Sequence, residues 1–221
     1  MHKGTTNGIT AGRNAAAAAA IAVAAISGAA QASLLTFVSA PEYSTPGSFT
    51  GSVEWLCPEK SDSDEDGTLI FTINNTTALE DGGFLTGFLF RVTNDDLKVC
   101  YQTGLPGWDG VHNVNAGGGF GQFDFGAAVD GNYNGGGNFD LGIAAGGTGT
   151  FAFKVKGDKE KLCELTAHDF FDESDGYGFV ARFRDFTPGS GGNDRVPGVM
   201  PSPGAIALAA LSGLAARRRR R

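Results

Sequence analysis

An alternating run of carboxylates is the strongest candidate for a metal site in this sequence. Asp62, Asp64 and Asp66 are separated by single residues, and a glycine follows the last of them. Three hard oxygen ligands around a tight turn are typical of the first half of a calcium-binding loop. The twelfth loop position, however, is Ile73 instead of a bidentate glutamate, and a strand is predicted where a helix should follow. We expect either weak calcium binding or a solvated acidic turn here, and no other cofactor.

Two aromatic residues are candidates for stacking on sugar rings. Trp108 lies in the segment Gly-Trp-Asp-Gly, and Tyr133 lies among asparagines and glycines. Flat aromatic faces in glycine-rich loops allow a sugar to approach closely. The alternative is that Trp108 covers the edge of a sheet.

The sequence offers no complete catalytic constellation. Asp109 precedes His112, and His168 precedes Asp169, which allows two acid–base pairs. Neighbours in sequence do not make a triad, and no Gly-x-Ser-x-Gly elbow is present. The glycine runs match neither a phosphate-binding loop nor a dinucleotide site. We therefore expect a protein that is not an enzyme.

The three cysteines are Cys57, Cys100 and Cys163. In an oxidising compartment, three cysteines favour one disulfide and one spare thiol. We favour a bond between Cys57 and Cys100, because both flank predicted strands in one hairpin region. A bond between Cys100 and Cys163, or no bond at all, remains open, and the spare cysteine can bridge two chains.

The elements that position these residues are strands. The clearest alternation of apolar and polar residues runs over 68–74, 147–156 and 177–186. Weaker strands are predicted at 34–38, 49–55, 84–93, 97–101, 123–129 and 139–143. The one helix candidate is 165–171, with Thr166 as its cap and Asp169 three residues later. This pattern predicts an all-β fold, an antiparallel β-sandwich or a jelly-roll variant, with glycine-rich surface loops over 115–149.

The first 32 residues have the pattern of a signal peptide. A basic start is followed by the apolar run Ala15–Ala25, and Ala30 and Ala32 form the small-x-small pattern that precedes cleavage. The mature chain is therefore expected to begin at Ser33. This signal also predicts export to a compartment in which disulfides form.

The net charge of the whole chain is −7, but the predicted core is more acidic. Seven of the 17 basic residues lie in the two ends, and all 24 acidic residues lie between Glu42 and Asp194. The core thus keeps 10 basic residues and a net charge of −14. Such a surface repels phosphate backbones, so we expect no nucleic-acid partner.

The C-terminal segment 199–221 does not have the composition of a folded domain. It contains Pro201 and Pro203, an apolar run from Gly204 to Ala216, and five arginines, Arg217, Arg218, Arg219, Arg220 and Arg221. Thirteen apolar residues are too few for a stable transmembrane helix, which needs about 20. The run can insert transiently, with the arginines on the cytoplasmic side.

This tail resembles the PEP-CTERM sorting signal of bacteria, with Ser202 in place of the usual glutamate. Within the core, segments 67–76, 85–90, 142–151, 179–183 and 191–198 resemble the exported β-rich domain that often accompanies this signal. The resemblance implies that an exosortase recognises and removes the tail. It supplies no catalytic residues.

The sequence thus predicts four parts: a signal peptide (1–32), a β-sandwich domain (33–187), a linker (188–198) and a sorting signal (199–221). The signal peptide and the sorting signal are each expected to form a terminal helix. The expected protein is non-enzymatic and exported to the cell surface or extracellular matrix, after transient retention at the inner membrane. Its expected partners are signal peptidase and an exosortase-like enzyme. The alternative is an extracellular carbohydrate-binding module, with calcium assisting the binding and a polysaccharide as its partner.

Overall fold

The chain folds into antiparallel strands joined by tight turns. The computed structural model describes residues 32–43, 45–58, 66–94, 96–135, 137–174, 176–187 and 193–201. The strands of this part are β1 (Ala32–Ser39), β2 (Phe49–Leu56), β3 (Gly67–Asn75), β4 (Gly82–Phe90), β5 (Lys98–Thr103), β6 (Trp108–Asn115), β7 (Gln122–Val129), β8 (Ile143–Ala144), β9 (Thr148–Lys156), β10 (Phe179–Phe186) and β11 (Asn193–Val199). Its helices are α1 (Lys159–Glu164) and two 3-10 helices, Phe139–Leu141 and Ala167–Phe170. The predicted all-β antiparallel class is confirmed.

The strands form where apolar residues alternate with polar ones. In β3, Leu69, Phe71 and Ile73 are fully buried, whereas the residues between them are partly exposed. The same period in β9 buries Phe151 and Phe153. Successive side chains of a strand point to opposite faces, so this pattern turns one face of the sheet towards a core.

The strands form one sheet that wraps until it is nearly closed. Its order is β5-β9-β3-β2-β1-β11-β10-β4-β7-β6, and β8 pairs with β4. The weakest junction is between β1 and β11, where the paired residues are Val38 with Val199 and Ser39 with Gly198. At the two ends of the order lie β5 and β6, which are consecutive in the chain.

A cluster of phenylalanines fills the inside of this wrapped sheet. Phe71 of β3 lies 4.7 Å from Phe90 and 5.4 Å from Phe88, between ring centroids, although β3 and β4 are not neighbours in the sheet. Phe179 of β10 stacks on Phe88 at 5.7 Å. The weak junction between β1 and β11 divides the sheet into two halves, β5-β9-β3-β2-β1 and β11-β10-β4-β7-β6. Because these rings come from both halves, the two halves share one core.

Three segments differ from their predicted structure. Trp108 was expected in a loop, but residues 108–115 form β6. This strand pairs with β7 from one end of β7 to the other. Residues 139–143, predicted as a strand, form a 3-10 helix followed by the short strand β8. Residues 193–198, predicted as part of a linker, lie in β11.

Proline explains why β11 is hard to recognise from the sequence. The carbonyl of Pro197 accepts a hydrogen bond from the Ala40 backbone N–H at 2.8 Å, so its nitrogen also faces the end of β1. A strand tolerates a missing N–H where the ladder ends. Val196 is buried and holds β11 on the core.

The helical segments are set by short capping motifs. Asp158 accepts hydrogen bonds from the backbone N–H groups of Glu160 and Lys161, which starts α1. The predicted helix at 165–171 is the 3-10 helix at 167–170, and the Asp169 carboxylate accepts from the backbone N–H of Thr166 at 2.7 Å, as the capping pattern predicts.

Candidate functional site

A cleft opens along the line where the sheet does not close. Residues 104–107 join β5 to β6, yet the sheet pairs β5 with β9 and β6 with β7. The cleft between the two strands has a volume of about 380 Å³. Ligand pockets commonly measure about 300–1,000 Å³, so this seam is large enough for a small ligand.

The seam cleft has a mixed apolar and polar lining. Phe125 and Phe153 are among its apolar residues, and Cys100, Asp109 and His112 are among its polar ones. Such a lining can take a ligand with an apolar body and a polar end. The cleft between β5 and β6 thus brings the thiol of Cys100 to the same opening as the Asp109 carboxylate and the His112 imidazole.

Tyr101 also lines the seam cleft, where β5 and β6 approach each other. A Cβ atom on Gly110 would lie 2.5 Å from the Cβ of Tyr101, so glycine allows β6 to approach β5 here. The Tyr101 ring packs edge-on against Phe153 at 5.6 Å. Burial, and then the negative charge of Asp109, raise the pKa of the Tyr101 hydroxyl above 10.0.

We expect the change Asp109→Asn to lower the pKa of Tyr101 towards its ordinary value. Since the pKa is raised in the folded state, the associated stabilisation is complete below about pH 10 and is lost as the pH rises through the folded pKa. The measurement is the tyrosinate absorbance during alkaline titration, with Tyr101→Phe identifying the contribution of Tyr101. Asp96→Asn, at an exposed site, is the control. An unchanged Tyr101 titration in Asp109→Asn would contradict this electrostatic link.

The predicted sugar-stacking pair does not lie on the surface. Trp108 is 4% exposed, its Nε1–H donates to the Leu141 carbonyl at 2.8 Å, and its ring lies 4.6 Å from that of Phe151. Tyr133 is 2% exposed. Because both rings are packed on other side chains, neither offers a free face to a sugar, and this prediction is corrected.

The predicted calcium ligands are only partly described. Asp62 and Asp64 lie outside the described residues, and the Asp66 carboxylate is 3.0 Å from the Lys154 ammonium. Among the residues that the structure describes, no three His, Cys, Asp or Glu side chains are grouped to hold a metal. Weak calcium binding at 62–66 stays a prediction.

In the candidate acid–base pair of His168 and Asp169, the aspartate stabilises the local structure. The Asp169 carboxylate accepts from the backbone of Thr166 and, at 3.1 Å, from the Thr93 hydroxyl. It therefore fixes a turn, while His168 is exposed. Asp109 and His112 of the other pair both line the seam cleft.

The disulfide joins Cys57 to Cys163, so the favoured pairing of Cys57 with Cys100 is wrong. Cys57 follows β2, and α1 brings Cys163 to within 5.0 Å of it, between Cα atoms. The Trp55 indole N–H, which donates to the Leu162 carbonyl at 3.2 Å, fixes the helix there. Cys100 lies on the outer side of β5, where it is free and exposed.

Sequence reasoning missed two further surface features. Three rings, those of Tyr43, Phe120 and Tyr177, lie 5.6–5.9 Å apart and are partly exposed; we call them the aromatic triad. Next to it, several arginines lie beneath the glycine-rich loops. The sequence signal that could have revealed the arginines is that Arg182 and Arg184 alternate with core residues on β10.

The processing residues lie largely outside the described part of the chain. Ala32 is the first residue of β1, and Pro201 is the last described residue. The signal residue Ala30, the tail residues Pro203 and Gly204, and the five terminal arginines fall beyond these limits, as do the predicted terminal helices. Within the described residues, none of the helices combines the length and apolar character needed to cross a membrane.

Comparison with family models, with curated proteins and with solved structures found no match to this chain.

Proposed function

We propose that this chain is an exported, non-enzymatic protein of the bacterial cell surface or extracellular matrix, sorted by its C-terminal tail. The supporting observation is the position of the first and last strands among the described residues. β1 begins at Ala32, beside the predicted signal-peptidase site, and β11 ends at Val199, where the predicted sorting tail starts. Removal of residues 1–32 and 199–221 would therefore leave the sheet intact apart from two terminal residues: Ala32, which pairs with Leu56, and Val199, which pairs with Val38.

The disulfide gives independent support for export. Cys57 and Cys163 are 106 residues apart in the chain and lie within bonding distance. Structural disulfides persist in oxidising compartments and are rare in reducing ones. A disulfide between two parts of the domain that are far apart in sequence therefore suits a protein that folds after export.

In the proposed processing sequence, signal peptidase cuts after Ala32 and the tail delays release. The apolar run 204–216 inserts at the inner membrane while the arginines stay on the cytoplasmic side. An exosortase-like enzyme then recognises the Pro-Ser-Pro-Gly segment and removes the tail. The mature acidic domain passes to the surface or matrix.

The mature domain would act as a structural or adhesive unit. We propose that the wrapped sheet is flattened like a β-sandwich, since Phe71 and Phe90 pack across it. A carbohydrate-binding module, the alternative, would need residues other than Trp108 and Tyr133. The partly exposed aromatic triad favours that second candidate.

The test is the intact mass of the protein recovered separately from membrane, matrix and medium of the cells that make it. We expect a species that starts at Ser33 and lacks Arg217–Arg221, and any excess mass would report an anchor. A mature chain that keeps its arginines in every fraction would overturn the sorting proposal.

Two variants of the tail test whether processing depends on the positive charge of Arg217–Arg221 or results from nonspecific proteolysis. Replacing Arg217–Arg221 with five glutamines should leave the tail unprocessed, because the charge that holds it at the membrane is lost. Five lysines, which keep the charge, should allow membrane retention. Equal processing of the glutamine and natural tails would argue against a sorting signal.

A further inference from the structure

A row of arginines crosses the outer face of the sheet beneath the glycine-rich loops. Arg182 of β10 lies directly opposite Arg195 of β11, and on its other side it faces Gly87 of β4. The ring of Tyr133 lies over Gly87, where a Cβ would be 3.0 Å from the ring. Residues paired across antiparallel strands share a face, so the two guanidinium groups and Tyr133 occupy the same side of the sheet.

Neutral oxygen atoms are the partners of this cluster. Arg182 Nη1 donates to the carbonyls of Tyr133 and Gly135, the latter at 2.9 Å, and Arg195 Nη2 donates to the Asn134 amide oxygen at 3.1 Å. None of the described carboxylates forms an ion pair with either arginine. The 133–135 loop thus holds the two guanidinium groups through neutral oxygen atoms.

Three polar atoms of the cluster are buried without a hydrogen-bond partner: Nε of Arg182, Nε of Arg195 and the hydroxyl oxygen of Tyr133. Arg182 is 6% exposed and Tyr133 is 2% exposed. Buried donors normally find acceptors, since an unpaired donor loses the hydrogen bonds that it made to water. Three such donors at one place indicate a missing acceptor.

The electrostatics of the cluster indicate that the acceptor carries a negative charge. Burial, followed by the nearby charges of Arg184 and Arg195, lowers the pKa of Arg182. Burial also raises the pKa of Tyr133, despite the opposing effects of Arg195 and Arg182, so its hydroxyl stays a donor at neutral pH. Like charges directly opposite each other on paired strands are destabilising, and an anion between them would relieve this repulsion.

The loop at 117–119 lies against one side of the cluster. A Cβ on Gly117 would be 3.4 Å from the Arg195 Cζ, which is ordinary van der Waals contact. Phe120 of the aromatic triad and Arg195 both lie within 4 Å of the Cβ position of Gly118. An apolar ring surface therefore adjoins the charged site, and Arg195 is itself partly exposed.

We propose that Arg182, Arg195 and the Tyr133 hydroxyl form a binding site for one small oxyanion. The two Nε–H groups and the phenol O–H are donors, and charge-assisted bonds from arginine suit carboxylate, sulfate or phosphate. The anion is either a free ion or the carboxylate of an acidic sugar, whose ring would lie towards Phe120. This proposal does not depend on export or on tail processing.

The experiment is calorimetric titration of the full chain with four probes at constant ionic strength: sulfate, acetate, galacturonate and galactose. Saturable binding of any of the three anions, with none for galactose, is expected. Tighter binding of galacturonate than of acetate identifies the acidic sugar as the preferred source. Equal binding of sulfate, acetate and galacturonate identifies a free oxyanion.

Two variants probe the donors with little loss of packing. Arg195→Gln removes a partly exposed charge and is expected to weaken anion binding about 10-fold or more. Tyr133→Phe removes one hydroxyl from a buried ring and is expected to weaken it about 5-fold. The matched controls are Lys98→Gln, which removes one exposed charge elsewhere, and Tyr101→Phe, and both should stay within about 2-fold of the parent affinity.

Three outcomes would overturn the proposal. One is the absence of saturable binding for every anion in a chain that is folded by circular dichroism. Another is unchanged affinity in Arg195→Gln and Tyr133→Phe when both variants are folded. The third is equal binding of galactose and galacturonate, since the carboxylate would then contribute nothing.

Discussion

Replacing both Cys57 and Cys163 with serine is expected to lower the free energy of unfolding by about 4 kcal/mol. The bond closes a loop with a sequence separation of 106 residues, and cross-linking a long loop restricts the unfolded chain most. Domains of this size are stable by only about 5–15 kcal/mol. The double variant should therefore lose a large fraction of its stability.

The location of the bridge adds to this effect. Cys57 directly follows β2, and Cys163 lies in the six-residue helix α1. A helix of this length is too short to be stable in isolation. Trp55, fully buried, donates its indole N–H to the carbonyl of Leu162 in the same helix. Without the covalent bond, α1 is held on the sheet by this hydrogen bond and by the packing of Leu162.

The measurement is urea unfolding of the natural chain and the variants, followed by tryptophan fluorescence. Cys100→Ser is the matched control and should be nearly neutral, because that thiol is exposed and unbonded. A thiol reagent should label one cysteine in the folded chain and three after reduction under denaturing conditions. A double variant as stable as Cys100→Ser, or labelling of Cys57 in the folded chain, would contradict the assigned pairing.

Much of the fold follows from the sequence because burial on one face imposes a period of two. β3 and β9 were predicted to within a residue or two, since Leu69, Phe71, Ile73, Phe151 and Phe153 alternate with polar neighbours. Local turn chemistry also identified the capping motif at Thr166.

Two strands escaped prediction for identifiable reasons. The outward side chains of β6 are mostly exposed, and its sequence Trp-Asp-Gly-Val-His-Asn-Val-Asn lacks a strict alternation, because β6 borders the open seam. β11 contains Pro197, which is tolerated where its ladder with β1 ends. In both strands, position in the wrapped sheet outweighs local propensity.

The candidate sites were harder to predict because long-range pairing assembles them. The seam cleft arises because β5 and β6, although joined by residues 104–107, pair with β9 and β7 instead of with each other, and no local pattern predicts those pairings. The arginine cluster depends on the cross-strand register of Arg182 with Arg195. Trp108 and Tyr133 were expected on the surface from their glycine-rich context, yet Trp108 begins β6 and packs into the core, and Tyr133 packs in a second buried cluster.

The change Phe71→Ala is expected to lower the free energy of unfolding by about 3–5 kcal/mol. Phe71 is fully buried, and its ring lies within 6.3 Å, between centroids, of five other rings. These rings belong to Phe37, Phe88, Phe90, Phe153 and Phe179. They come from strands in both halves of the wrapped sheet, so no single neighbour can fill the cavity.

The measurement is chemical unfolding monitored by far-ultraviolet circular dichroism. Leu79→Ala is the control, since Leu79 is 78% exposed and its truncation should change stability by less than about 0.5 kcal/mol. If the two halves of the sheet share one core, Phe71→Ala should move the midpoint of a single transition and leave its slope unchanged. A biphasic transition would show that the halves unfold separately. The Phe71 cluster would then not join them, and the seam between β5 and β6 would border two independent units.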